Sequence, residues 1–286
     1  MNNPKVSIVI QTYGRAEYLK GLIESVRFST PQGAYEFVIV SSDLPESEKI
    51  KRLSQQSDVN LILADARKEW QLRKKSSCYY LNLGIKNSKK EWVFLINDDM
   101  RFDENWYKEF TKLLSNPDNS NVGMIIVSSH LGEVKHGYRI KKLGQTKKGD
   151  GPWKDLYLSD FCIMKKSVLE EIGFYDEKLD WFVLGVDTSL AVEFLTNKDT
   201  IISDKIKIDH FIAEENRDAN TEDGFTDFHY LLRKWDAWCK KNDCQYTWRP
   251  GVKPYTIPNR VKSFLKKQRN IMRFYKKYIL SKISAI

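Results

Sequence analysis

The chain has 286 residues, of which 41% are hydrophobic and 13% aromatic, and its formal net charge is +9. This length and apolar content exclude a disordered protein and suffice for one large domain or two small ones. The sequence shows neither the features of a signal peptide nor an apolar stretch long enough to span a bilayer, and its four cysteines lack metal-site spacing. We therefore expect a cytoplasmic protein with reduced cysteines.

Short apolar runs alternate with amphipathic segments through the first half of the chain. The apolar runs predict buried strands at 6–10, 37–40, 60–63, 92–96 and 122–127. The segments between them predict helices, one with a single apolar face (Leu19, Leu22, Ile23 and Val26) and others at 45–56, 76–87 and 104–114. Strands that alternate with helices indicate βαβ units, so we expect an α/β fold with a mainly parallel sheet and helices on both faces.

The second half of the chain is less regular. Residues 130–155 are rich in glycine, lysine and polar residues and predict a loop or a hairpin. Apolar runs then predict strands at 161–164 and 200–208, and a helix at 166–172 that Gly173 closes in the C′ position. A last helix carries one apolar face, formed by Phe228, Leu231, Leu232, Trp235 and Trp238.

Three polar residues, Asn97, Asp98 and Asp99, follow the apolar run 92–96 directly. Adjacent carboxylates repel each other and lose hydration where a buried strand ends, so they need a positive partner. Mg²⁺ and Mn²⁺ prefer carboxylate oxygens and often bridge to substrate phosphates, and ligands of open α/β sheets bind at the carboxyl ends of strands. The alternative is a polar turn that caps the next helix.

Several motifs, in the same order, resemble an inverting glycosyltransferase of family 2, whose fold is GT-A, over about residues 5–240. Residues 6–15 are similar to the first strand and loop of that family, and residues 97–99 lie where the family carries its DxD motif, with asparagine replacing the first aspartate. Residues 173–177 resemble its GGFDE segment, and residues 185–187 occupy the place of its acidic pair. Further matches to the family are the helical segment 81–85 and the Lys-Trp segment at 233–235.

The resemblance implies sugar transfer from a nucleoside-diphosphate sugar, with a UDP-sugar favoured, and Mn²⁺ or Mg²⁺ as cofactor. Asp99, with Asp98 beside it, would hold the cation against the donor's two phosphates. His210 follows the predicted strand 200–208 and is expected to supply a further metal ligand as a neutral imidazole. The alternative for His210 is a surface histidine at the end of a strand.

Other residues are expected to bind the nucleotide. Thr12, Tyr13 and Arg15 would line the site at the end of the first strand, where Tyr13 could stack on the base and Arg15 could contact the diphosphate. Asp43 lies one residue later than the family's base-recognising aspartate, and Arg73 begins a basic cluster that could face the phosphates. The alternatives are a turn with a solvated helix start for the first group, and a solvated face for the cluster.

Asp187 occupies the position of the family's general base, which takes the proton of the acceptor hydroxyl as that hydroxyl attacks the sugar. Its apolar neighbours at 184–186 favour a raised pKa. The alternative is that Asp187 caps a helix that starts at Thr188.

The basic character of the chain belongs to its C-terminal tail. Residues 258–286 carry nine lysine and arginine residues and no acidic ones, which accounts for the whole net charge of +9. Apolar residues recur at helical spacing there, so residues 259–286 predict an amphipathic helix suited to an anionic membrane surface. The alternative is that this helix packs on the body of the protein or on a partner subunit; no base-reading module accompanies it, so we expect no nucleic acid.

Together these features predict a metal-dependent glycosyltransferase that acts on a glycan or lipid-linked acceptor in cell-surface polysaccharide or lipopolysaccharide synthesis, at the inner face of the membrane. We expect residues 1–115 to form the nucleotide-sugar-binding half of a GT-A domain, 116–245 its acceptor-binding half, and 246–286 a linker and tail. The alternatives are a nucleotidyltransferase, which would usually show a glycine-rich loop after the first strand, and a GT-A-like binding module without activity.

Overall fold

A computed structural model describes residues 3–12, 15–41, 47–64, 76–129, 139–140, 161–179, 184–210 and 224–242. The N-terminal half forms a parallel sheet in the order β3-β2-β1-β4. Its elements are β1 (Val6–Thr12), α1 (Ala16–Ser29), β2 (Tyr35–Ser41), α2 (Ser47–Leu53), β3 (Val59–Leu63), α3 (Ser77–Asn87) and β4 (Trp92–Asn97). The predicted βαβ units are therefore confirmed.

The C-terminal half extends the same sheet, so that among the described residues its order is β3-β2-β1-β4-β8-β6-β9-β5, with β7 paired to β9. β8 joins β4 and β6 antiparallel, β9 lies parallel to β6, and β5 lies antiparallel to β9. The elements are β5 (Met100–Phe102), α4 (Trp106–Ser115), β6 (Val122–Ser129), β7 (Arg139–Ile140), β8 (Cys162–Lys165), α5 (Lys166–Glu171), α6 (Leu184–Leu195), β9 (Asp199–His210) and α7 (Gly224–Lys241).

The central strands are apolar on both faces because helices cover both faces of the sheet. Val9 and Leu95 face one core, in which α3, α5, α6 and α7 pack. Ile8 and Phe94 face a second core, which contains α1 and α4 and the four α1 residues that the sequence placed on one face. The expected α/β fold with helices on both faces is confirmed.

Two glycines fix close or unusual backbone geometry near these helices. A Cβ on Gly84 of α3 would lie 2.5 Å from Cγ1 of Val9, so only glycine lets α3 approach β1 this closely. Gly173 has φ +80 and follows the C-cap residue of α5, as the sequence predicts. The amide of Phe174 then donates to the carbonyl of Leu169, which closes a Schellman motif and directs the chain into residues 173–177.

Some features of the structure were not predicted from the sequence, and one predicted element is not among the described residues. β5, of three residues, and the start of α6 at Leu184 were not predicted. The amphipathic helix expected at 259–286 lies outside the described residues. Among the helices that are described, none has the length and apolar character of a membrane span.

Candidate active site

The carboxyl ends of β1 and β4 lie side by side, with Gln11 opposite Asn97 in the parallel register. Thr12 is the last residue of β1, and Asp98 directly follows β4. Thr12 Oγ1 donates a 2.8 Å hydrogen bond to Oδ2 of Asp98. Both side chains are fully buried. This placement follows from the topology, because parallel strands end at the same edge of the sheet and the crevice there receives ligands.

Arg15, the residue before α1, joins both carboxylates of the motif. Its Nη2 lies 2.5 Å from Oδ1 of Asp98, and its Nε donates to Oδ2 of Asp98 at 3.2 Å. Its Nη1 donates to Oδ2 of Asp99 at 3.1 Å. The Arg15 guanidinium therefore supplies positive charge to both buried carboxylates, and Arg101 of β5 also interacts electrostatically with both.

His210 reaches the same cluster from the last strand. β5 follows the motif directly and pairs antiparallel with β9, which sets Met100 opposite His210. The imidazole Nε2 then lies 3.5 Å from Oδ1 of Asp99, and the ring packs edge-on against Phe161. The side chain of His210 is 19% exposed and faces the motif, which favours the predicted ligand role over a surface histidine, and that role stays a prediction.

The Asp99–His210 pair has the chemistry of a divalent cation site. A carboxylate oxygen and an imidazole nitrogen suit Mn²⁺, and the carboxylate suits Mg²⁺. Among the described residues no third histidine, cysteine or acidic side chain joins them to make a full protein cage. Two such ligands would leave positions for phosphate oxygens and water, which is how substrate-bridged divalent ions are usually held. The residues present therefore fit the expected cofactor.

Asp187 lies in a second cluster, formed by α6 and α7. Lys234 Nζ donates to its Oδ2 at 2.8 Å, and the buried Trp235 indole donates to its Oδ1 at 2.8 Å. α6 begins at Leu184, so Asp187 lies inside the first turn and does not cap a helix that starts at Thr188. The capping alternative is wrong.

Lys234 also pairs with Asp176 of the segment 173–177, with Nζ 3.0 Å from Oδ2. Burial raises the pKa of Asp187, and this outweighs the lowering by Lys234 and Trp235. For Asp176, burial raises the pKa, but the hydrogen bonds from the Lys178 amide, Lys234 and Tyr230 outweigh it and leave that pKa below its ordinary value. The same ammonium therefore contacts one carboxyl whose pKa is lowered, Asp176, and one whose pKa is raised, Asp187.

Asn82 of α3 holds the segment 173–177 in place. Its Nδ2 donates to the carbonyl of Tyr175 at 2.9 Å and to Glu177 Oε1 at 3.1 Å, and its Oδ1 accepts from the Tyr175 amide at 3.0 Å. Sequence reasoning missed Asn82, Asp176 and Lys234 as site residues. The signal was present, because each falls in a segment that resembles the family, but a segment match assigns no contact.

The structure thus brings five predicted residues into one cluster, namely Thr12, Arg15, Asp98, Asp99 and His210. It places Asp187 with α7 in another. The remaining predicted nucleotide-binding residues, Tyr13, Asp43 and Arg73, lie outside the described residues. The roles of all these residues stay predictions.

Known proteins share both the sequence pattern and the fold. The O-antigen biosynthesis protein RfbC of Myxococcus xanthus is 25% identical over 208 residues, which is 66% of this chain and 16% of that protein. S. aureus TarS 1–349 in complex with UDP-GlcNAc superposes with a TM-score of 0.59 at 13% identity, over 80% of this chain and 66% of that one. The mannosyltransferase PcManGT of Pyrobaculum calidifontis, in complex with GDP-Man and Mn²⁺, superposes with a TM-score of 0.55 at 14% identity, over 95% of this chain and 70% of that one.

The two structural likenesses show that the fold is GT-A. The chain spans about one sixth of the length of RfbC and about two thirds of the TarS fragment. The sequence pattern that defines Glycosyl transferase family 2 matches residues 7–173, more than half of the chain. The chain therefore belongs to glycosyl transferase family 2.

Proposed function

We propose that this chain transfers a sugar from a nucleoside-diphosphate sugar, with a UDP-sugar favoured, to a glycan or lipid-linked acceptor, in a metal-dependent reaction that inverts the anomeric configuration. The observation that carries the proposal is the cluster at the carboxyl ends of β1 and β4. There Arg15, Asp98, Asp99 and His210 converge within hydrogen-bond or near-contact distance. Such a cluster, with one guanidinium and two carboxylates, fits a diphosphate and its cation.

Each side chain of this cluster has a part in donor binding. Asp99 and His210 would hold the cation, and Arg15 would donate to oxygens of the diphosphate as it does to carboxylates. Thr12 and Arg15 fix the Asp98 carboxylate from two sides, which presets the site before the donor arrives. A bound Mn²⁺ or Mg²⁺ would neutralise the negative charge that develops on the leaving nucleoside diphosphate.

Asp187 is the proposed general base. Each carboxylate oxygen has two lone pairs, so Oδ2 can accept the acceptor's hydroxyl while it keeps its bond to Lys234. The raised pKa of Asp187 makes it a stronger base than an ordinary aspartate, while the Lys234 ammonium opposes that rise and favours the ionised carboxylate. The attack on the face opposite the leaving group then inverts the anomeric carbon.

The biological setting is inferred from two sources. The name of RfbC supports a role in cell-surface polysaccharide or lipopolysaccharide synthesis. The basic tail 259–286 supports a position at the inner face of the membrane, beside a lipid-linked acceptor, with a partner subunit as the alternative contact.

The proposal is tested by turnover with chemically defined substrates. UDP-, GDP-, CDP- and dTDP-sugars are incubated with Mn²⁺ and a panel of alkyl glycosides, and free nucleoside diphosphate is measured. We expect release of the nucleoside diphosphate from one class of donor, and a glycoside product whose anomeric configuration, determined by NMR, is inverted. The rate of release should fall at least ~100-fold in Asp187→Asn and in Asp99→Asn. Asp58→Asn is the control, since Asp58 forms an arginine pair elsewhere. Release that survives in both site variants would contradict the proposal, and no release from any donor would favour the binding module.

A further inference from the structure

Arg15 contacts the two carboxylates of the motif unequally. Asp98 is held by two nitrogens of the guanidinium, Nη2 and Nε, and also by Thr12. Asp99 is contacted by Nη1 through one oxygen, Oδ2, while its other oxygen faces His210. The guanidinium is therefore firmly attached at Asp98, and its Nη1 lies against the residue that is expected to hold the cation.

The charges of the cluster predict how a cation and a diphosphate depend on each other. The two buried carboxylates already face two guanidiniums, because Arg15 contacts both of them and Arg101 of β5 interacts electrostatically with both. A divalent cation that joins alone would add uncompensated positive charge and would share the Asp99 carboxylate with the Arg15 guanidinium, which like charges disfavour. A diphosphate brings negative charge of its own, restores the balance, and offers Nη1 new acceptor oxygens.

We propose that Arg15 couples metal binding to donor binding, a proposal that rests on the proposed function of this site. Without a nucleotide, Nη1 of Arg15 occupies Oδ2 of Asp99 and weakens the binding of a lone cation. When a diphosphate enters, Nη1 exchanges Asp99 for a phosphate oxygen while Nε and Nη2 keep Asp98. This exchange removes the competition of Nη1 for Oδ2 of Asp99, so that metal and nucleotide bind together.

A second arginine of this chain provides a matched control. Arg27 of α1 makes the same two-nitrogen contact to a carboxylate, with Nε 3.0 Å from Asp58 Oδ2 and Nη2 2.8 Å from Oδ1. In the described part of the chain, the hydrogen bonds and ion pairs of Arg27 and Asp58 include neither Asp98 nor Asp99. A general effect of losing an arginine–carboxylate pair should therefore appear equally in Arg27→Gln and Arg15→Gln.

The experiment measures Mn²⁺ binding to the full chain by electron paramagnetic resonance of free Mn²⁺. Mn²⁺ is titrated into wild type, Arg15→Gln, Arg15→Lys and Arg27→Gln, first without nucleotide and then in the presence of saturating UDP, GDP, CDP or dTDP. The Mn²⁺ that binds each nucleotide without protein is measured separately and subtracted. We expect one nucleotide to tighten Mn²⁺ binding to wild type by about tenfold or more, within the usual range of coupling between sites. Arg15→Gln should bind Mn²⁺ alone about tenfold more tightly than wild type, with the coupling reduced to about threefold or less.

The variants also separate folding from coupling. Arg15→Lys keeps a positive charge but cannot span two carboxylates with a planar fork, so it should fold and still lose most of the coupling. Arg27→Gln should behave as wild type. If Mn²⁺ alone binds Arg15→Gln and Arg15→Lys no more tightly than wild type, the proposal for Arg15 is overturned. If no nucleotide affects Mn²⁺ binding in any variant while Mn²⁺ alone binds Arg15→Gln more tightly, the proposed function fails and the competition between Arg15 and the cation stands.

Discussion

The imidazole Nε2 of His210 lies 3.5 Å from Oδ1 of Asp99, although the two residues lie at distant points of the chain. β5 makes this contact possible, because its three residues leave the motif and pair at once with β9. The short strand therefore completes the cluster that a donor diphosphate and its cation would use.

His210→Ala is expected to weaken Mn²⁺ binding in the presence of the nucleotide by at least about tenfold, because it removes one of the two proposed protein ligands. Calorimetry at fixed nucleotide concentration measures the change. Asp209→Asn is the control, since neighbouring side chains of β9 point to opposite faces of the strand. Equal affinities in His210→Ala and wild type would exclude His210 as a ligand.

Lys234→Met is expected to shift the acidic limb of the pH profile of kcat/KM to higher pH by about one unit. Burial already raises the pKa of Asp187, and the Lys234 ammonium opposes that rise. Without the ammonium the pKa rises further, so a higher pH is needed to ionise the base. Lys240→Met, at an exposed position of the same helix, should leave the profile unchanged. An unshifted acidic limb in Lys234→Met would argue against Asp187 as the base.

Asn82→Ala is expected to lower the free energy of unfolding by about 2–4 kcal/mol, because it leaves the buried amide and carbonyl of Tyr175 without their side-chain partner. Urea denaturation followed by circular dichroism measures the loss. Asn87→Ala removes one exposed hydrogen bond at the end of the same helix and should cost about 0.5 kcal/mol or less. Similar losses in the two variants would show that Asn82 does not anchor the segment 173–177.

The tail is expected to bind anionic vesicles and to release them at high salt, since attraction to a charged surface is screened within a Debye length. Co-sedimentation of the full chain with phosphatidylserine vesicles measures this, with phosphatidylcholine vesicles as the control. A quadruple change of Lys266, Lys267, Lys276 and Lys277 to Glu should abolish binding. Undiminished binding of that variant would contradict the membrane role of 259–286.

The sequence predicted those elements in which one physical signal is strong. α1 was predicted because its four apolar residues recur at helical spacing, and all four are buried. β1 and β4 were predicted because strands covered on both faces are continuous apolar runs. The position of Asp98 and Asp99 at the carboxyl edge of the sheet follows from those strands.

Contacts between distant segments were not predictable in the same way. β5 has only three residues, too few to show a period, so the approach of His210 to Asp99 had no local signal. Lys234 and Asp187 lie 47 positions apart, and the spacing of apolar residues in α7 does not reveal that a lysine turns toward α6. Family resemblance identified both segments, while the ion pair between them required the fold.

The central claim is that the cluster around Asp99 binds a nucleoside diphosphate together with a divalent cation. A thermal-shift screen with UDP, GDP, CDP and dTDP, each with and without Mn²⁺, tests it on wild type, Asp99→Asn and the control Asp58→Asn. A ligand of the native state raises the melting temperature by mass action, so we predict that one nucleotide with Mn²⁺ stabilises wild type and Asp58→Asn but not Asp99→Asn. Equal stabilisation of Asp99→Asn, or none of wild type by any nucleotide with Mn²⁺, would contradict the account.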